Sequence, residues 1–91
     1  MDLNDEARAE LEAIIDRLSG ASRDHIRTLE EGRVTGALRF TLGMDIRNRI
    51  RHGEIPALFR WSSAQLPEKI HFDDLSGPIL KEIWRVLRKG T

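Results

Sequence analysis

The stretch Ile79-Leu80-Lys81-Glu82-Ile83-Trp84-Arg85-Val86-Leu87 constrains the fold of this chain more than any other segment. Its apolar residues recur at three- and four-residue spacing, and side chains so spaced share one face of an α-helix. The pattern predicts a helix burying Ile79, Leu80, Ile83, Trp84, Val86 and Leu87. The preceding Asp73-Asp74-Leu75-Ser76-Gly77-Pro78 puts cap residues and an early proline where a helix start uses them. Lys81, Arg85, Arg88 and Lys89 fall on the outer side, the last two in the final turn, where cations suit the helix dipole. Gly90 is the expected stop.

The same periodicity runs through most of the chain. Residues 4–19 read as a helix capped by Asn4, with Asp5 and Glu6 in its first turn, Ala7, Leu11, Ile14, Ile15 and Leu18 at helical spacing, and Gly20 as the stop. Residues 22–31 read as a short second helix, with Ser22 as cap and Ile26 and Leu29 inside, closed by Gly32. Residues 33–52 carry two signals. Leu38, Phe40 and Leu42 alternate with Arg39 and Thr41, as in a strand, while Val34, Leu38, Leu42, Ile46 and Ile50 recur every four residues, as in a helix. The longer series predicts one helix from about 34 to 52, ended by Gly53. Gly36 and Gly43 cost it about 1 kcal/mol each relative to alanine, and their spacing would permit close approach of a second helix. In the connector 54–73, Pro56 starts a helical turn and Pro67 forbids a long helix, with Leu58, Phe59, Trp61, Leu66 and Ile70 expected inward. The expectation is an all-α fold: one domain over 1–91, four main helices, and a long, partly helical connector between the third and fourth.

Charge and cysteine content narrow the functional classes. The chain has no cysteine, which excludes disulfides and thiolate metal sites and fits a reducing compartment. Its beginning is acidic without an apolar run, and no stretch approaches the roughly 20 apolar residues of a membrane span, so the expected location is cytoplasmic. The net charge is zero but unevenly spread: residues 1–32 hold four arginines and nine carboxylates, residues 33–61 six arginines and two carboxylates. Two readings follow. The acidic and basic parts complement each other or a paired surface, or the basic centre binds an anion such as nucleic acid.

The candidate chemistry lies in Phe40-Thr41-Leu42-Gly43-Met44-Asp45-Ile46-Arg47-Asn48-Arg49-Ile50-Arg51-His52-Gly53. Arg47 and Arg51 share a helix face, with Arg39 near it, and could grip phosphates through bidentate contacts; Arg49 and Arg60 add to the basic set. The alternative is a solvated helix back paired with acids. "IRNRIRHG" resembles the R-x4-H signature of the HEPN superfamily, which includes RNA endonucleases. That resemblance implies His52 as general acid or base, Arg47 stabilising a charged phosphorane, and Asn48 as the polar residue after the arginine. The alternative for His52 is a helix C-terminal cation. His71-Phe72-Asp73-Asp74 invites a metal reading, but capping of the last helix by Asp73 or Asp74 is simpler, and no metal or cofactor is expected. Trp61 and Trp84 could stack bases, with core packing as the alternative.

"LRFTLGMDIRN" (38–48) and "HFDDLSGPILKEIWRVL" (71–87) together resemble a bacterial domain family of unknown function with TLG-x-x-IRN-like and H-x-DD-x-S segments. The resemblance spans roughly 33–88. It implies a short helical unit in which Arg47, Asn48, His71, Asp73, Asp74 and Ser76 act together. A physical form of that pairing is a clamp: Arg47 and Asn48 hydrogen-bonding the Asp73–Ser76 turn. The expected role is a non-enzymatic interaction or accessory module with a protein partner or a second copy of itself, through the Gly36/Gly43 face or the charged surfaces; binding residues are Arg47, Asn48, Arg51, Asp73, Asp74 and Ser76. The alternative is an RNA-directed protein binding through Arg47, Arg49, Arg51 and Arg60 or cutting with Arg47, Asn48 and His52.

Overall fold

The structure, a computed structural model, describes residues 3–65 and 75–89. Within them the chain is all-helical: α1 (Asp5–Asp16), α2 (Gly20–Thr28), a 3-10 turn (Glu31–Arg33), α3 (Val34–Leu38), α4 (Leu42–Arg51), α5 (Pro56–Ala64) and α6 (Ser76–Lys89). Among the described residues there are six α-helices: the expected third helix is split into α3 and α4, and α5 lies in the connector expected to be partly helical. α6 is the hub and packs against each of the other five. Its Ile79, Leu80, Ile83 and Leu87 are buried, and they meet Leu11, Ile14, Ile26, Val34, Leu38, Ile46 and Leu58 in one core. Trp84 and Val86, expected in that face, are only partly buried at its edge; the indole N–H of Trp84 donates to the Leu29 carbonyl at 2.8 Å.

Local chemistry explains the boundaries. Asn4 caps α1 through its side-chain oxygen, which accepts the Ala7 N–H at 2.8 Å. α1 stops at Asp16, earlier than expected, and the Ile15 carbonyl at its end accepts both the Leu18 N–H and the Arg23 guanidinium, each at 3.0 Å. Gly20 does not end α1 but opens α2; Ser19, not Ser22, is the cap, accepting the Ser22 N–H at 3.1 Å. α4 closes on Gly53, the one positive-φ residue described (71°), with Gly53 N–H on Ile50 and Glu54 N–H on Arg49. Those two bonds form a Schellman cap, which needs the left-handed conformation glycine adopts at little cost.

The single helix expected over 34–52 is broken at 39–41. Thr41 leaves helical geometry (φ −119°, ψ −99°), and both its N–H and its hydroxyl donate to the Leu38 carbonyl, at 3.2 and 3.3 Å. The four-residue stripe still marks the inside: Val34, Leu38 and Ile46 are buried, and Leu42 and Ile50 pack against the core. Gly43 belongs to this corner. A β-carbon there would lie 3.0 Å from the Leu38 carbonyl oxygen and 3.5 Å from the Leu80 side chain, so glycine permits the close approach of α4 to α3 and α6 within the molecule. Gly36 is exposed, and a β-carbon added there would meet nothing within 4 Å. The two glycines therefore do not make one docking face.

The connector holds a nine-residue helix, α5, rather than a single turn. Ala57, Leu58 and Ser62 are buried and Trp61 packs against the core, while Phe59 points outward against expectation, because it falls off the face shared by 57, 58, 61 and 62. Leu66 and Ile70 lie outside the described residues. Ser62 donates its hydroxyl to the Leu75 carbonyl, tying α5 to the start of α6.

Candidate functional site

The central polar residues diverge. Arg47 on α4 donates to the Arg39 carbonyl at 3.1 Å, at the end of α3, and reaches the Ser76 hydroxyl at 3.5 Å, at the start of α6. One guanidinium thus spans three helices across the α3–α4 break. Asn48 and Arg51 are not buried within the core. His52 is the C-cap of α4, its N–H on the Asn48 carbonyl, and its exposed ring faces Glu54 at 3.9 Å. Arg47 is drawn toward α3 and α6, and His52 toward the loop after α4. Asp73, Asp74 and His71 lie outside the described residues, so Ser76 is the described part of the acidic turn.

The basic centre is largely matched within the chain. Arg49, only 15% exposed at its side chain, pairs with Asp45 at 2.8 Å and faces Glu54 at 3.8 Å. Arg60 on α5 faces Glu6 on α1 at 3.7 Å. Glu10 on α1 reaches further: its carboxylate accepts the Ala57 and Leu58 N–H groups at 3.1 and 2.8 Å. These are the free amides of the first turn of α5, where Pro56 has no N–H and Ile55 supplies no side-chain cap. The acidic first helix therefore neutralises the start of α5 and one arginine of the basic centre. Among the described residues no group of three His, Asp or Glu is arranged to hold a metal ion, and no helix is long and apolar enough to cross a membrane.

A groove of about 550 Å³ lies between the α1–α2 corner and the α3–α4 corner. Leu18, Ile26, Leu38 and Leu42 give it an apolar lining, with Ser22, His25, Thr41 and Asp45 as its polar groups. Ser22 is bonded to Ser19, and Asp45 to Arg49. Among the described residues no hydrogen bond joins Ser22, His25 and Asp45 to one another. Along the chain, Phe40 and Met44 alternate with the lining residues 37, 38, 41, 42 and 45. They are the most exposed large hydrophobic side chains described, at 75% and 47%. The Arg39 guanidinium sits 5.8 Å from the Phe40 ring centroid, within cation–π range.

The sequence carries a signal for this face that the periodicity argument passes over. Phe40 and Met44 are four apart and lie outside the 34/38/42/46/50 stripe. Two large apolar side chains on the outer side of an amphipathic helix need a reason for being there. The strand-like alternation of 38, 40 and 42 masks it.

The model of a family described as a domain of unknown function, DUF6794, matches residues 5–87, and the chain belongs to that family. The expected kinship with a domain family of unknown function is met, over a longer stretch than the two motifs span. No curated protein and no solved structure matches the chain.

Proposed function

We propose that this DUF6794 domain is a non-enzymatic protein-interaction module whose contact face is the groove between α2 and the α3–α4 corner, flanked by Phe40 and Met44. The observation that carries the reading is the exposure of Phe40, 75% open to solvent beside an apolar groove. Leaving a phenylalanine in water forfeits roughly 1.5–3 kcal/mol that burial would return. Here the α3–α4 corner that carries Phe40 also supplies Leu38 and Leu42 to the apolar lining of the groove, and exposed apolar surface of this kind marks interaction sites. Of the basic centre, Arg47, Arg49 and Arg60 are engaged by groups of the same chain.

A photo-crosslinking phenylalanine analogue at position 40, expressed in the native host, tests the reading. Protein adducts should form there and not from the same group at Asp16, on the exposed side of α1. Adducts removed by ribonuclease, or equal labelling at both positions, would overturn it.

A further inference from the structure

We infer that the occupant of this groove is a second copy of the chain, bound about a two-fold axis so that each Phe40 enters the other's groove. The inference rests on the contact-face reading above and names its partner. A two-fold interface uses one patch twice, so the patch must carry both a projection and its receptor. The α3–α4 corner does. Phe40 projects from it, and the groove of about 550 Å³, lined by Leu18, Ile26, Leu38 and Leu42, opens beside it. An aromatic side chain brings about 150–250 Å² of burial, the usual anchor of such contacts.

Charge supplies the second argument. Arg39 is exposed, next to Phe40 on the projecting side, with its guanidinium against the Phe40 ring. Asp45 lines the groove and is about half exposed. Exchange of Phe40 between two copies carries each Arg39 toward the other's Asp45, giving two equivalent opposite-charge contacts at the rim. The chain's zero net charge means that no overall repulsion opposes the pairing. The Arg49 partner of Asp45 orients that carboxylate from within its own chain.

Sedimentation equilibrium of the full chain between about 1 μM and 1 mM reads the association directly. The mass should rise from 10.4 kDa toward twice that value. Phe40→Glu should weaken association about 30-fold or more without lowering the melting temperature read below the dissociation constant, where the chain is a monomer and the side chain is in solvent. Arg39→Asp alone and Asp45→Arg alone should each weaken it about tenfold. Mixing these two variants should restore a heterodimer, because the carboxylate placed at 39 of one chain then meets the guanidinium placed at 45 of the other. That rescue has no counterpart if the residues serve only their own fold. A chain that stays at 10.4 kDa throughout, or a dimer indifferent to Phe40→Glu, overturns the pairing. A monomeric chain whose position 40 crosslinks to a different protein overturns the self-association while leaving the contact face standing.

Discussion

Glu10 on α1 accepts the Leu58 N–H of α5 at 2.8 Å, so one helix caps another across 48 residues of chain. The same carboxylate takes the Ala57 N–H at 3.1 Å. α5 has no cap of its own, and a negative charge at a helix N-terminus is favourable on both hydrogen-bonding and dipole grounds. Glu10→Ala should cost about 1–2 kcal/mol of unfolding free energy. Glu10→Gln should cost less, since its amide oxygen can still accept one N–H. Urea titration of the three chains checks the order; equal stability of all three would show that α5 is held by packing alone.

The two glycines of the 34–52 segment should respond oppositely to alanine. Gly43→Ala puts a methyl 3.0 Å from the Leu38 carbonyl oxygen, a backbone atom that cannot swing away. The corner must open, at about 1–3 kcal/mol, the usual cost of overpacking. Gly36→Ala, within α3 and with open space around it, should stabilise by about 0.5–1 kcal/mol by removing the glycine penalty in a helix. Thermal melts of the two single variants decide the matter by sign.

Arg47 and His52 should separate just as clearly. Arg47→Ala removes the donor to the Arg39 carbonyl and the contact with Ser76, and should lower stability by about 1–2 kcal/mol. Arg47→Lys should recover only part of this, since a point ammonium cannot replace a forked guanidinium across two acceptors. His52 caps α4 through its backbone, and its ring is 68% exposed, so His52→Ala should shift the melting temperature by no more than about 2–4 °C, the scale of a surface substitution. A matching loss in both would tie the two side chains into one unit.

Helix type, the inward face of α6 and the Asn4 cap were legible because each depends on neighbours within a turn. The α3–α4 break was not. Val34, Leu38, Leu42, Ile46 and Ile50 keep their period straight through it, and what bends the chain is a tertiary fit: Thr41 folding back on Leu38, and Gly43 admitting α4 to that carbonyl. The Glu10 cap was invisible for the same reason, being a contact between residues 48 apart. On the polar side, the Arg47–Ser76 contact is the part of the expected clamp that falls among the described residues, and Asp73 and Asp74 lie outside them. The apolar face was missed because Phe40 and Met44 gain meaning only once the corner has turned and opened a groove beside them.

Ser62 offers a last test, at a residue no sequence pattern marked. It is fully buried on α5, and its hydroxyl donates to the Leu75 carbonyl that precedes α6. Ser62→Ala keeps the volume nearly unchanged but leaves that carbonyl without this donor, a loss of about 1–3 kcal/mol for a buried acceptor. The effect should be local in origin and global in consequence, since α6 packs against each of the other five helices. Hydrogen exchange of the first turns of α6 should therefore accelerate together with the fall in unfolding free energy. Faster exchange confined to α5 would mean that Ser62 steadies its own helix and not the entry to the hub.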